Sequence, residues 1–141
     1  MTLSLSLFDP EKGMYAYVQS DELDGRSAVG FENYRSRLWG SHAMRRRAYR
    51  FFPVLRSADL FVYPHEFECF KLECDSVWGQ SRDIASEIWP DEFIDRWCPI
   101  RRSDRIRRHR VRGARSIREY IIRIRFAISL AESHGRGVSI S

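Results

Sequence analysis

The sequence predicts an α+β fold: a small, mostly antiparallel sheet packed by three or more helices, with a C-terminal helix followed by a short strand. Three stretches carry this expectation. From Ser116 to His134, apolar residues recur at Ile117, Tyr120, Ile121, Ile124, Ala127, Ile128 and Ala131, the spacing of one buried helical face. Leu3-Ser4-Leu5-Ser6-Leu7 alternates strictly, as a strand buried on one side does. Gly137-Val138-Ser139-Ile140 alternates too, just after Gly135, which suits a left-handed helix cap. A helix that returns at once into a strand needs a sheet to join.

The remaining elements follow in chain order. Asp9-Pro10 begins a turn that Gly13 closes, and residues 14–19 then form a second strand, in a hairpin with residues 3–8. Asp21 to Gly25 is a polar turn. Phe31, Tyr34 and Leu38 repeat at helical intervals, predicting a helix over 27–39 that Gly40 ends. Pro53 biases Phe52 away from helix, so Phe51-Phe52-Pro53 is expected to be extended. Leu60-Phe61-Val62-Tyr63 is a third strand. Pro64 suits the first turn of a helix over 64–80, with Phe67, Phe70, Cys74, Val77 and Trp78 on one face. A short helix is expected over 83–88. Trp89-Pro90-Asp91-Glu92-Phe93 repeats the local grammar of Tyr63-Pro64-His65-Glu66-Phe67. Residues 101–115 carry few apolar side chains and read as an Arg-rich loop or insert, or a frayed helix. The final helix is expected to start at the capping box Ser116-Ile117-Arg118-Glu119.

At 141 residues the chain is expected to form one domain, 1–141, and 43% hydrophobic residues suffice for a core. No apolar run is long enough to span a membrane, and Met1 to Phe8 lacks the basic start of a signal peptide. Cys69, Cys74 and Cys98 are odd in number and unpaired in pattern, which favours free thiols and a cytoplasmic location. The net charge of +5 conceals a strong polarity. Residues 101–115 hold eight arginines against Asp104 alone, whereas residues 59–95 hold ten acids against Lys71 and Arg82.

The Arg-rich stretch is the strongest outlier. Clustered arginine is an electrostatic footprint for nucleic acid, with Arg105, Arg107, Arg108 and Arg110 as the residues that would meet phosphate. No zinc-finger, helix-turn-helix or RRM pattern accompanies it, and aromatics are absent between Trp97 and Tyr120. The bland alternative is that this segment neutralises the acidic one within the chain. His65-Glu66-Phe67-Glu68-Cys69 approaches a zinc-binding spacing but lacks further ligands, so no metal and no cofactor are expected. No Gly-x-Ser-x-Gly, P-loop or dinucleotide fingerprint is present, and no nucleophile–base pair stands out. An enzyme, such as a hydrolase, is therefore the weakest of three classes, behind a protein-binding and a nucleic-acid-binding chain. The acidic helix and the aromatics around Trp89 and Trp97 form the expected recognition surface.

Several features match a known family in order. They are Leu3-Ser4-Leu5-Ser6-Leu7-Phe8-Asp9, Asp24-Gly25 before Phe31, and Phe52-Pro53-Val54-Leu55. An aromatic and Pro with Glu66 then open a helix containing Lys71-Leu72-Glu73, and a helix end from Leu130 to Gly137 leads into a final strand. Covering about half of the chain, this layout resembles the immunity protein seventy family of bacterial polymorphic toxin systems. The resemblance implies a cytoplasmic α+β protein that binds one toxin domain and blocks it. Glu66, Glu68, Glu73 and Asp75 are then the expected steering charges, with Trp89 as an anchor. The Arg45–Arg47 run and the Arg-rich stretch depart from the acidic character of that family.

Overall fold

Strand β1 (Thr2–Phe8) organises the sheet because both of its edges are used. The computed structural model describes residues 2–88 and 102–141, and the side chains of 2–88 and 111–141. Along one edge β1 pairs antiparallel with β2 (Tyr17–Val18) at its end and with β3 (Ala28–Phe31) at its start. Between β1 and β4 (Leu60–Val62) lies β5 (Gly137–Ile140), antiparallel to both. The order is β2-β1-β5-β4, with β3 also on β1.

Alternation sorts the side chains. Leu3, Leu5, Leu7, Leu60, Val62, Val138 and Ile140 are all buried and share one face. The helices cover that face. In chain order they are α1 (His42–Arg45), α2 (Phe67–Gly79), α3 (Ser81–Ile88) and α4 (Arg102–His134). Ile117, Ile121, Ile124, Ala127, Ile128 and Ala131 of α4 are buried, as their spacing predicts. Gly135 follows at φ 62°, and Arg136 N–H returns to Ala131 C=O at 2.9 Å, which turns the chain into β5. On the opposite sheet face, the Phe8 ring sits directly on Gly137, where any Cβ would overlap it.

The α+β class, strand 3–8, strand 60–63 and the closing helix–strand unit appear as expected, while other elements differ. The predicted helix over 27–39 is instead β3 followed by a single π-helical turn, Arg35–Trp39. Gly30 has φ 124°, closed to a right-handed helix, and the free edge of β1 supplies hydrogen bonds that local spacing cannot reveal. Strand 14–19 shrinks to Tyr17–Val18. Phe51-Phe52-Pro53 is not extended; it opens a 3-10 turn, Phe52–Arg56, with Pro53 near its start. The helix expected over 64–80 begins as a 3-10 turn, Pro64–Glu66, before α2.

The largest correction concerns 101–115. From Arg102 onward this stretch is not a loop or insert but the first part of α4, so Ser116-Ile117-Arg118-Glu119 lies inside a helix rather than capping one. Arginine is a good helix former, and Ala114 and Ile117 bury themselves against the core, so packing carries the helix back through the apparent start signal.

Glu73 anchors the loop beside α2. Its carboxylate is buried and accepts N–H bonds from Arg50 (2.7 Å), Phe51 (3.0 Å) and Phe52 (2.9 Å). This clamp closes the turn in which Ala48 takes φ 57°, a strained value for a residue with a Cβ. Two stability predictions follow from these contacts. Glu73→Ala leaves buried N–H groups without an acceptor and is expected to cost about 3 kcal/mol in urea unfolding. Gly137→Ala forces the Phe8 ring off the sheet and is expected to cost about 1–3 kcal/mol in the same measurement.

Candidate functional site

The acidic residues proposed as steering charges are largely engaged within the chain. Glu73 is buried and fully occupied by the loop it holds, so it cannot steer a partner. The Glu66 carboxylate accepts from Arg50 at 2.8 Å and from the Tyr63 N–H at 3.2 Å. Asp75 pairs with Arg125 at 2.5 Å. Glu68 contacts Lys71 at 3.0 Å, while Lys71 also binds Glu132 at 2.5 Å. Of the four, Glu68 projects furthest into solvent, its side chain 84% exposed. Glu87 binds Arg46 and Arg47 together. Among the described residues, Glu66, Asp75 and Glu87 are thus neutralised from inside, by Arg50, Arg125 and the Arg46–Arg47 pair. Trp89, Trp97 and Cys98 lie outside the described residues. Arg105, Arg107, Arg108 and Arg110 lie on α4, with their side chains outside the described ones.

What the sequence did not reveal is a groove beside β4. Ser4 and Ser141 exchange both backbone bonds, at 2.8 and 3.0 Å. By alternation, Ser6–Ser139 is a bonded pair as well, which turns the backbone of Val138 and Ile140 toward β4. Leu60 and Val62 receive those bonds, so the N–H and C=O of Phe61 face outward from the sheet edge. Phe61 also belongs to an aromatic cluster on the sheet face opposite α4. Its ring meets Phe8 at 5.6 Å and Tyr15 at 5.5 Å, both edge-on, and Tyr63 meets Phe8 at 5.1 Å. Tyr15, Phe61 and Tyr63, together with Arg50, Val54 and Asp59, line a groove of about 870 Å³. Tyr15 is 73% exposed at its mouth.

A second groove, of about 520 Å³, runs between the α2–α3 corner and α4. Its floor and walls are Trp78, Arg82, Val111, Arg115, Arg118 and Ile122. The Arg118 guanidinium lies 5.4 Å from the Trp78 ring centre, and its Nε donates to Ser81 Oγ at 2.9 Å. Reading residues 101–115 as a loop hid this surface, because only a continuous helix brings Val111, Arg115, Arg118 and Ile122 onto one flank.

Cys74 is buried and its thiol is pushed well above the usual range by desolvation, so it is inert packing; Cys69 is exposed. Among the described residues no group of three or more His, Cys, Asp and Glu is arranged to hold a metal. His134 Nδ1 lies 2.9 Å from Leu130 C=O at the end of α4. No described helix is long and apolar enough to cross a membrane.

No family model, curated protein or solved structure matches this chain.

The Arg46 and Arg47 hydrogen bonds hold the Glu87 carboxyl down at about 2, from an ordinary value of 4.5. A lowered carboxylate stabilises the fold above its unfolded pKa and loses that contribution as pH falls toward the folded one. The window is therefore about pH 4.5 down to about 2. Glu87→Gln is expected to flatten that part of the acid-unfolding profile, read by circular dichroism against pH.

Proposed function

We propose that this chain is an immunity protein of a bacterial polymorphic toxin system, which binds a cognate toxin domain and neutralises it by protein–protein contact in the cytoplasm. The layout resemblance described above motivates the reading, and the aromatic groove along the open edge of β4 is the observation that supports it best. Rigid aromatic rings with a neighbouring arginine are the residue types that anchor protein interfaces. Phe61 adds an outward backbone donor and acceptor, which an extended segment of a partner can meet as an additional strand. The protein acts on this reading as a stoichiometric blocker, not as an enzyme, and needs no cofactor.

The alternative reading is a nucleic-acid-binding accessory protein that works through Arg105, Arg107, Arg108 and Arg110. It draws on the helical form of this stretch, since a rigid arginine-bearing helix can follow a phosphate backbone.

The test is genetic and then biophysical. The reading frame beside this one should encode a toxin, and co-expression of this chain should restore growth. Tyr15→Ala and Phe61→Ala should each weaken toxin binding about tenfold or more, measured by calorimetry. A harmless neighbouring frame would sink the immunity reading, and full protection by both variants would remove the groove from it.

A further inference from the structure

The basic side chains divide into two groups. Arg35, Arg46, Arg47, Arg50, Arg123 and Arg125 each bind a carboxylate of the chain. Arg26, Arg37, Arg45, Arg56, Arg112 and Arg118 do not, and neither do Arg82 on α3 and Arg115 on α4, which are both exposed and have no ion-pair partner among the described residues. Arg82 and Arg115 both line the groove of about 520 Å³ between the α2–α3 corner and α4. The nearest acid on the wall, Glu119, is occupied by Arg123 at 2.8 Å. Arg82, Arg115 and Arg118 therefore bring positive charge to one groove with no carboxylate paired to them among the described residues.

The same groove exposes apolar surface. Val111 is 58% and Ile122 55% exposed, and Trp78 shows its edge at 38%. Val111 and Ile122 are three helical turns apart, about 16 Å along α4, with Arg115 and Arg118 between them. Arg118 is held by Trp78 and Ser81, so that wall is preorganised. The pattern is apolar, basic, basic, apolar along a rigid helix. Its complement is a segment with carboxylates between two apolar anchors.

We propose that this groove receives an acidic amphipathic segment of a partner protein, whose carboxylates pair with Arg82 and Arg115 and whose apolar side chains seat on Val111, Ile122 and Trp78. Charge complementarity selects an acidic occupant. The aliphatic walls select protein over nucleic acid: a phosphate backbone has nothing to place on Val111 or Ile122, and the Trp78 ring is already faced by Arg118, which leaves no platform for a base. Bidentate pairing to guanidinium favours carboxylates displayed at fixed spacing, as on a helix. This surface is separate from the aromatic groove, so the inference goes beyond the immunity reading and stands or falls without it.

The experiment uses the full chain and three fluorescent probes: a synthetic helix-forming peptide with Leu and Glu at helical spacing, the same peptide with every Glu replaced by Lys, and a DNA oligonucleotide of matched charge. Anisotropy titrations should show the Glu peptide bound most tightly. The double variant Arg82→Glu/Arg115→Glu should weaken it about tenfold or more and let the Lys peptide bind instead. Ile122→Ser should weaken the Glu peptide without changing the salt dependence. Replacing Arg105, Arg107, Arg108 and Arg110 by Ala should leave the affinity within about threefold. All substituted positions in the groove are exposed, and the melting temperature checks that each variant is folded. Tighter binding of DNA than of the Glu peptide overturns the proposal in favour of a nucleic-acid surface. So does an unchanged affinity in the folded double variant, a loss confined to the Arg105–Arg110 variant, or failure of the Glu peptide to bind at all.

Discussion

The position of β5 constrains everything else. It is the last element of the chain, yet it lies inside the sheet, with β1 on one side and β4 on the other. Those two strands share no backbone pairing, so β4 joins the sheet only through the docked C-terminus. Docking depends in turn on the left-handed turn at Gly135, which reverses the chain at the end of α4 and lays β5 under the helix it has just left. Backbone hydrogen bonding makes this placement cooperative: β1, β4 and β5 satisfy one another's polar groups, and the alternation of Val138 and Ile140 puts apolar side chains on the face that the helices cover.

The same arrangement decides which surfaces are left for a partner. Among the described residues α4 packs on one face of the sheet, and the other carries the Ser4, Ser6 and Ser139 side chains and an aromatic cluster at the β4 end. With β5 taking the inner edge of β4, the outer edge is open and bears the unpaired backbone of Phe61. The first groove is thus a consequence of strand order. The second is a consequence of helix length: α4 extends far enough past the core for Val111 and Arg115 to stand beside α3 rather than beneath it.

Charge follows a comparable logic. The acid-rich stretch between residues 59 and 95 looks like a recognition face when its residues are counted, but the carboxylates of Asp59, Glu66, Glu68, Glu73, Asp75 and Glu87 are engaged by the protein itself. Glu73 serves as the acceptor for a loop that has no strand to bond with, Glu66 holds a helix start, and Glu87 gathers two arginines from the α1 region. Exposed pairs of this kind add little stability each, yet they cancel the field that would have steered a basic partner. Arg82 on α3 and Arg115 on α4, like Arg37, Arg45 and Arg56 elsewhere, have no ion-pair partner among the described residues. Which charges stay unpaired is decided by their neighbours in space, a property that a list of charges along the chain does not contain.

Strict alternation in residues 3–7 and 137–140, and the helical stripe from Ile117 to Ala131, determined the α+β class and the closing helix–strand unit from the sequence alone. Both patterns are local, and burial on one face imposes them residue by residue. Local spacing misled at Phe31, Tyr34 and Leu38, where a free strand edge far away in the chain competed for the backbone and won β3. It misled again at Ser116, where a capping box is a signal only if the preceding residues leave the helix; packing of Ala114 and Ile117 kept them in it. Tertiary structure alone decided that Glu73 is an internal acceptor, that Phe61 presents its backbone outward, and that Arg82 and Arg115 share one groove. Each of these depends on contacts between segments distant in sequence, which no local pattern of residues encodes.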